Sequence, residues 1–381
     1  MRILIVTVYN SANCGSFLQA YSLYRVLETL GGQPVFLERA LRHTAAALPN
    51  RLRELLAKCL KLRFASACLL WRRYRRYRLA QRVFPTVRET DPAFAGIDCV
   101  VLGSDTVWNF ASPYFHRKVD TYLGTRFAGR RRVSYAASAA NTPYAVFRED
   151  PAIGEGLRAL DAVSVRDAYT QTIVEELTGR PAPVVCDPTL LTDRAALDAL
   201  APPIPERGYI LLYLFGRVPP ELRRRLTELR RDTGRRLISF GESRLWCDRS
   251  VPYDPHTFIA YMRNADFVAT NTYHGTLFAI LYERNFADYG GRKRKIADLL
   301  EACALTGTLA SPGDPLADAF RRPPDFAAAR SAIAQTRARS LAYLKAALGA
   351  SAAKPDAQPV RPVPSEQAFD KEEEHETASN T

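Results

Sequence analysis

Residues 268–281 read Val-Ala-Thr-Asn-Thr-Tyr-His-Gly-Thr-Leu-Phe-Ala-Ile-Leu, and the character of the chain changes twice within them. The stretch opens as the end of a buried strand, crosses a polar turn carrying His274-Gly275, and continues as an apolar helix. That order gathers backbone N–H groups and the positive end of a helix dipole at one point, which makes an anion site. Two readings stay open for His274. It is either a core or capping histidine or, flanked by Thr272, Gly275 and Thr276, a side chain that does chemistry.

Outward from this stretch the same alternation repeats. Upstream lie a strand at Asp266–Ala269, a helix at Pro255–Asn264 started by Asp254 and Pro255, and a strand at Leu237–Phe240. Before them come a helix at Pro219–Thr233 and a strand at Tyr209–Phe215. Pro202-Pro203 and Pro205, inside Asp193–Gly208, mark a linker. The amino-terminal half opens with the apolar run Ile3–Val8, suited to a strand buried on both faces. A loop at Tyr9–Ser16, a helix at Phe17–Leu30 stopped by Gly31-Gly32, and a strand at Pro34–Leu37 complete a β-α-β unit. Further strands fall at Asp98–Leu102, Val133–Ser138, Ala162–Val165 and Val184–Cys186. Residues 44–90 form a basic insertion, helical over 44–83 with a break near Pro49.

This pattern predicts an α/β fold of two doubly wound Rossmann-like domains, residues 1–195 and 206–310, facing a cleft. An Ala-rich helix within 327–348 is long enough to fold back across both, and the Pro-, Glu- and Ala-rich tail 351–381 reads as disordered. In such sheets ligands bind beyond the carboxyl ends of the strands. The polar turns fall there: Asn13-Cys14-Gly15 with Ser16, Gly103-Ser104-Asp105, Ser138, Arg166-Asp167 and Tyr273-His274-Gly275.

Composition narrows the class. A chain of 381 residues with 47% hydrophobic side chains exceeds one ordinary core. No run approaches a membrane span, and the opening MRILIVTVYN reads as a first strand, too short for a signal peptide. Seven scattered cysteines without CxxC spacing argue for reduced thiols in a cytoplasm and against disulfides or zinc. The net charge of +13 is uneven: residues 51–90 hold twelve Lys/Arg against two Glu. Trp71, Tyr74 and Tyr77 are interleaved there with Arg72, Arg73, Arg75, Arg76 and Arg78. The mixture suits an anionic membrane surface, a solvated basic face on a packed helix, or, less well, single-stranded nucleic acid.

Candidate chemistry follows from residue type. Arg166 ends a buried strand, where a cation needs a partner. It is either a salt-bridge partner of Asp167 or Asp187, or a two-pronged clamp on a carboxylate or phosphate. Asp105 is either a general acid/base or a turn cap. Arg292-Lys293-Arg294-Lys295 is a solvated cluster or a guide for an anion. The chain has no GxGxxG after its first strand, no GxxxxGK[ST], no GxSxG and no metal-ligand spacing.

Six segments together resemble the polysaccharide pyruvyl transferases. Asn13-Cys14-Gly15-Ser16-Phe17-Leu18-Gln19-Ala20 is similar to the family's N-x-G-x-x-L-Q-A opening. Gly103-Ser104-Asp105 with Trp108-Asn109 is similar to its G-S-D-x-x-W-N segment. Ser134–Ser138, Val163–Asp167, Asp187–Leu191 and Tyr273–Thr276 follow in the family's order, and the resemblance spans roughly residues 1–305. It implies a GT-B-like fold and transfer of a pyruvyl group from phosphoenolpyruvate to a sugar as a ketal, with phosphoenolpyruvate as co-substrate and neither cofactor nor metal. On it, His274 and Arg166 fall on positions associated with donor binding and catalysis; together with the turns, His274 and Asp105 are expected to be catalytic, and Arg166, Thr272, Gly275 and Thr276 to bind the donor. Asn13, Gly15, Ser16, Ser104 and Ser138 are expected to form an acceptor or phosphate loop. Many members carry an Arg two residues before this histidine, where this chain has Thr272.

The acceptor implied is a cell-surface glycan or its lipid-linked precursor. The enzyme is then expected in the cytoplasm, held at the inner face of the membrane through residues 51–90. A GT-B glycosyltransferase using a nucleotide sugar, and a non-catalytic relative that binds membrane or nucleic acid, are the competing readings.

Overall fold

The computed structural model describes residues 1–38, 64–291 and 293–349. The first part of the expected insertion helix and the tail 351–381 lie outside the described residues.

The chain forms two five-stranded sheets. In the first, β1 (Arg2–Val6), β2 (Gln33–Leu37), β3 (Thr86–Val87), β4 (Cys99–Leu102) and β5 (Arg131–Ser134) are ordered β3-β2-β1-β4-β5, every pair parallel. In the second, β6 (Tyr209–Tyr213), β7 (Arg236–Phe240), β8 (Arg249–Val251), β9 (Phe267–Thr270) and β10 (Phe286–Asp288) are ordered β10-β9-β6-β7-β8, again all parallel. Parallel strands need crossovers, and the helices supplying them cover both faces of each sheet. Along β1 the side chains alternate between two cores: Ile3 and Ile5 face one, Leu4 and Val6 the other. Burying each contributes about 1.5–3 kcal/mol. The core that receives Ile3 and Ile5 also holds Leu211, Tyr213, Ile238 and Phe278 from the second unit, so apolar packing continues from one sheet to the other.

Several local expectations shift. The first helix runs over Cys14–Thr29, three residues earlier than apolar spacing suggests, because the Asn13 side chain caps it by accepting from Gly15 N at 2.9 Å and Ser16 N at 3.4 Å. Ala162–Val165 and Val184–Cys186 are not full strands; they join the first sheet through isolated bridges at Ala162, Val165 and Val184. Pro181 and Pro183 precede Val184 and lack the N–H groups a longer ladder there requires.

The helix Ala327–Gly349 touches both units. Its Ser340 accepts from Cys186 N at 3.0 Å and its Tyr343 donates to the Ser134 carbonyl at 2.9 Å. Farther back, Arg330 pairs with Glu283 at 3.0 Å.

The basic segment is described from Phe64, as a helix over Phe64–Ala80. Only part of its aromatic and basic side chains faces solvent. Tyr77 is buried and donates to Cys14 Sγ at 3.0 Å, and Arg76 pairs with Asp254 at 2.9 Å and Thr257 Oγ1 at 2.8 Å. Arg73 turns inward as well, while Trp71, Arg72, Arg75, Arg78 and Leu79 remain outside. The inward side chains tie this helix to the second unit. Of the outer ones, the Arg75 guanidinium lies 5.6 Å from the Trp71 ring.

Candidate active site

Each sheet reverses its winding beside its first strand, between β1 and β4 in one and between β6 and β9 in the other. The carboxyl ends of strands at such a reversal leave a crevice. Here both reversals open toward the same place. From the first come the Asn13–Ser16 turn after β1 and Gly103-Ser104-Asp105 after β4; from the second come Phe215 after β6 and Asn271–His274 after β9.

His274 opens the helix Tyr273–Leu281, which Thr272 caps by accepting from Gly275 N at 3.0 Å. Helix and strand approach so closely that a Cβ on Gly275 would lie 2.1 Å from Thr270 Oγ1, which explains the glycine. The His274 ring does not stand in an open turn: its side chain is 14% exposed and lies against the backbone of Gly15 from the other unit. A Cβ on Gly15 would fall 2.1 Å from His274 Nδ1. On the opposite edge, Nε2 lies 3.6 Å from Asp187 Oδ2.

Beneath the histidine sits a buried network of charge. Arg166 Nη1 lies 3.4 Å from Asp105 Oδ1 and 3.6 Å from Asp187 Oδ2, so Arg166 pairs with Asp187, not Asp167, and also with Asp105. Asp105 adopts φ 73°, a left-handed conformation that aspartate tolerates, and accepts from Ser16 Oγ at 2.7 Å. Burial alone pushes both carboxyls up. For Asp105 the charges of Arg166 and His274 reverse this and hold it below the usual carboxylate range. For Asp187 the contact with His274 and the charge of Arg166 bring it to about 2. Both are therefore held toward the carboxylate form. Arg166 Nη2, Asp187 Oδ2 and His274 Nε2 are all buried without a full hydrogen bond.

Above the histidine opens a cavity of about 310 Å3 lined by Asn13, Arg73, Tyr253, Thr272, His274, Lys293 and Lys295, among others. It sits at the small end of ligand pockets. A chain of hydroxyls closes its floor: Tyr213 and Tyr253 hydroxyls lie 3.1 Å apart, and Cys14 N donates to Tyr253 at 3.1 Å.

Of the residues expected from sequence, Asn13, Thr272 and His274 line the cavity, and Gly15, Ser16, Asp105 and Arg166 support the histidine. The others serve the framework. Ser104 donates to Gln19 Oε1 at 2.6 Å, Ser138 accepts from Ala140 N at 3.1 Å, and Thr276 donates to buried Asp288. Asp187 is legible as a partner for Arg166 and as the start of the Asp187–Leu191 segment, and Tyr253 carries no signal. In the sequence nothing sets Arg73 apart from the other arginines of the basic insertion. The signal for Lys293 and Lys295 lay in their position after a strand, once β10 is recognised.

The fold has solved counterparts. UDP-GlcNAc 2-epimerase from Neisseria meningitidis matches at 9% identity over 90% of this chain and 99% of that one, with a TM-score of 0.53. The enzyme of that name from Methanocaldococcus jannaschii matches at 10% identity over 85% and 92%, with a TM-score of 0.51. The glycosyltransferase SnogD from Streptomyces nogalater matches at 16% identity over 91% and 98%, with a TM-score of 0.44. At these identities the likeness to the two epimerases shows the fold alone, a GT-B-like pair of α/β units. No curated protein matches the chain. The family model for polysaccharide pyruvyl transferase covers residues 13–287, from the cap of the first helix through His274 to β10. Both halves of the crevice fall inside that span, and the chain belongs to the polysaccharide pyruvyl transferase family, a family of transferases.

Proposed function

We propose that the chain transfers the pyruvyl group of phosphoenolpyruvate to two hydroxyls of one sugar, forming a ketal on a cell-surface glycan or its lipid-linked precursor. The observation that carries this is His274 held between Asp187 and Gly15 at the edge of a small, basic cavity. In the reaction one proton reaches C3 of the enol, C2 forms two C–O bonds, and the C2–O bond to phosphate breaks. The two hydroxyl protons end on the new methyl group and on the phosphate. Imidazole is the side chain that both gives and takes a proton in neutral water. Asp187 on the Nε2 side leaves Nδ1, beside the Asn13–Gly15 turn, as the nitrogen that moves the proton. Arg166 and Asp105 hold this pair in place as positioning residues, and Thr272 and Asn13 face the donor.

A thermal-shift comparison of phosphoenolpyruvate with nucleotide sugars tests the donor. At about 100 times its Kd the true donor stabilises the protein by about 2.7 kcal/mol. Stabilisation by a nucleotide sugar alone would make the chain a glycosyltransferase instead.

The outer face of the Phe64–Ala80 helix supports a lipid-linked acceptor. Trp71, Arg75, Arg78 and Leu79 follow helical spacing, and Trp71 and Leu79 are each about half exposed. Cations at headgroups with apolar side chains at the interface suit an anionic cytoplasmic leaflet. No helix among the described residues is long and apolar enough to cross a membrane. Sedimentation with anionic vesicles at low salt, lost at high salt and lost in Trp71→Ala/Arg75→Gln, is the expected result. Binding that ignores salt and lipid charge rules this docking out.

A further inference from the structure

Arg73, Lys293 and Lys295 meet around the cavity above His274, and among the described residues none of them has a carboxylate within ion-pair distance. Arg73 comes from the insertion helix of the first unit. Its Nη2 donates to the Ala12 carbonyl at 2.6 Å, its guanidinium lies 4.6 Å from the Tyr253 ring centre, and its Nε is buried without a partner. Lys293 and Lys295 come from the second unit, just after β10. Lys293 donates to the Asn271 carbonyl at 2.7 Å, which leaves its other N–H groups free, and the Lys295 amine lies 5.6 Å from the Tyr273 ring.

Like charges around one small cavity repel, and an anion seated between them relieves that repulsion. A phosphomonoester suits the set. It carries close to two negative charges at pH 7 on three acceptor oxygens, enough for a guanidinium fork and two ammonium groups together. We propose that Arg73, Lys293 and Lys295 form a phosphate subsite built from both units, with the insertion helix as a working part of it. The subsite rests on reading this cavity as the donor site, and it places the phosphate at the basic wall and the pyruvyl carbons toward His274.

Titration calorimetry with phosphoenolpyruvate, inorganic phosphate and pyruvate tests it on the full chain. The variants are Arg73→Gln, the double variant Lys293→Gln/Lys295→Gln, and Arg76→Gln, whose guanidinium lies on the same helix but bonds Asp254. Loss of a charged hydrogen bond is expected to weaken phosphoenolpyruvate and phosphate about 10-fold or more in the first two. Pyruvate affinity is expected to stay within about 3-fold throughout, and the Arg76 variant is expected to keep wild-type phosphoenolpyruvate affinity. Should Arg73→Gln fail to fold, the lysine pair, which lies at the surface, decides the matter. Unchanged phosphate and phosphoenolpyruvate binding in the variants overturns the subsite. Wild-type protein that binds phosphate but not phosphoenolpyruvate, with phosphate lost in the variants, upholds the subsite and overturns the donor. Binding of neither overturns both.

Discussion

Gly15→Ala isolates the contact on which the histidine depends. Gly15 lies in the first turn of a helix, where alanine is the better helix former by up to about 1 kcal/mol. On local grounds the substitution is neutral or stabilising. Its Cβ, however, would lie 2.1 Å from His274 Nδ1, 2.5 Å from Cγ and 2.6 Å from Cε1. To reach ordinary contact the ring must retreat by about 1.3 Å or swing off the Asp187 carboxylate. A displacement of about 1 Å at a reacting group costs on the order of 100-fold in rate. The expected variant therefore folds with a Tm within about 3 °C of wild type, given roughly 2–4 °C per kcal/mol for larger chains, and turns over about 100-fold more slowly. Phosphate release from phosphoenolpyruvate in the presence of acceptor glycan measures the rate, and thermal unfolding measures the fold. A folded Gly15→Ala protein with turnover within about 3-fold of wild type would refute the seat assigned to His274.

Three further outcomes follow from the same network. His274→Gln is expected to lower phosphate release by about 10²–10⁴-fold with little change in unfolding midpoint, and wild-type turnover in it would remove the imidazole from the chemistry. Arg166→Met leaves Asp105 and Asp187 buried without their shared cation and is expected to cost about 3–5 kcal/mol in urea unfolding; a loss below about 1 kcal/mol would mean the pairs contribute little. Asp187 sits at about 2 in the folded protein, below its unfolded value, so it contributes stability at neutral pH that declines once pH falls below about 4 and is gone below about 2. Asp187→Asn is expected to be less stable than wild type at pH 6 by about 2 kcal/mol, with the gap closing toward pH 2; a constant gap would contradict the shift.

Much of the frame was readable because it rests on runs of apolar residues. Ile3–Val6, Cys99–Leu102 and Tyr209–Tyr213 are buried on both faces, so their sequences announce strands without any need of alternation. β3, β8 and β10 are two or three residues long, and no periodicity can be counted over so few positions. Because β10 is too short to read, the sequence leaves Lys293 and Lys295 as either a solvated cluster or a guide for an anion; the fold sets them after the carboxyl end of a strand beside the crevice. The turns at Asn13, Asp105 and His274 were legible as polar breaks after apolar runs. Which of them touch was not, since the contact of Gly15 with His274 depends on how two separate sheets pack. The basic helix shows the same limit. Its composition marks a charged surface, but Arg73, Arg76 and Tyr77 turn toward Tyr253, Asp254 and Cys14, neighbours distant in sequence.

Pyruvyl transfer leaves its signature on the product: a sugar bearing two new C–O bonds to one carbon and one added carboxylate. Mass spectrometry of surface glycans from cells with the chain, without it, and with only His274→Gln reads that signature directly. The expected result is a pyruvate ketal present in the first and absent from the other two. Glycans of the same mass and charge in all three would contradict pyruvyl transfer by this protein.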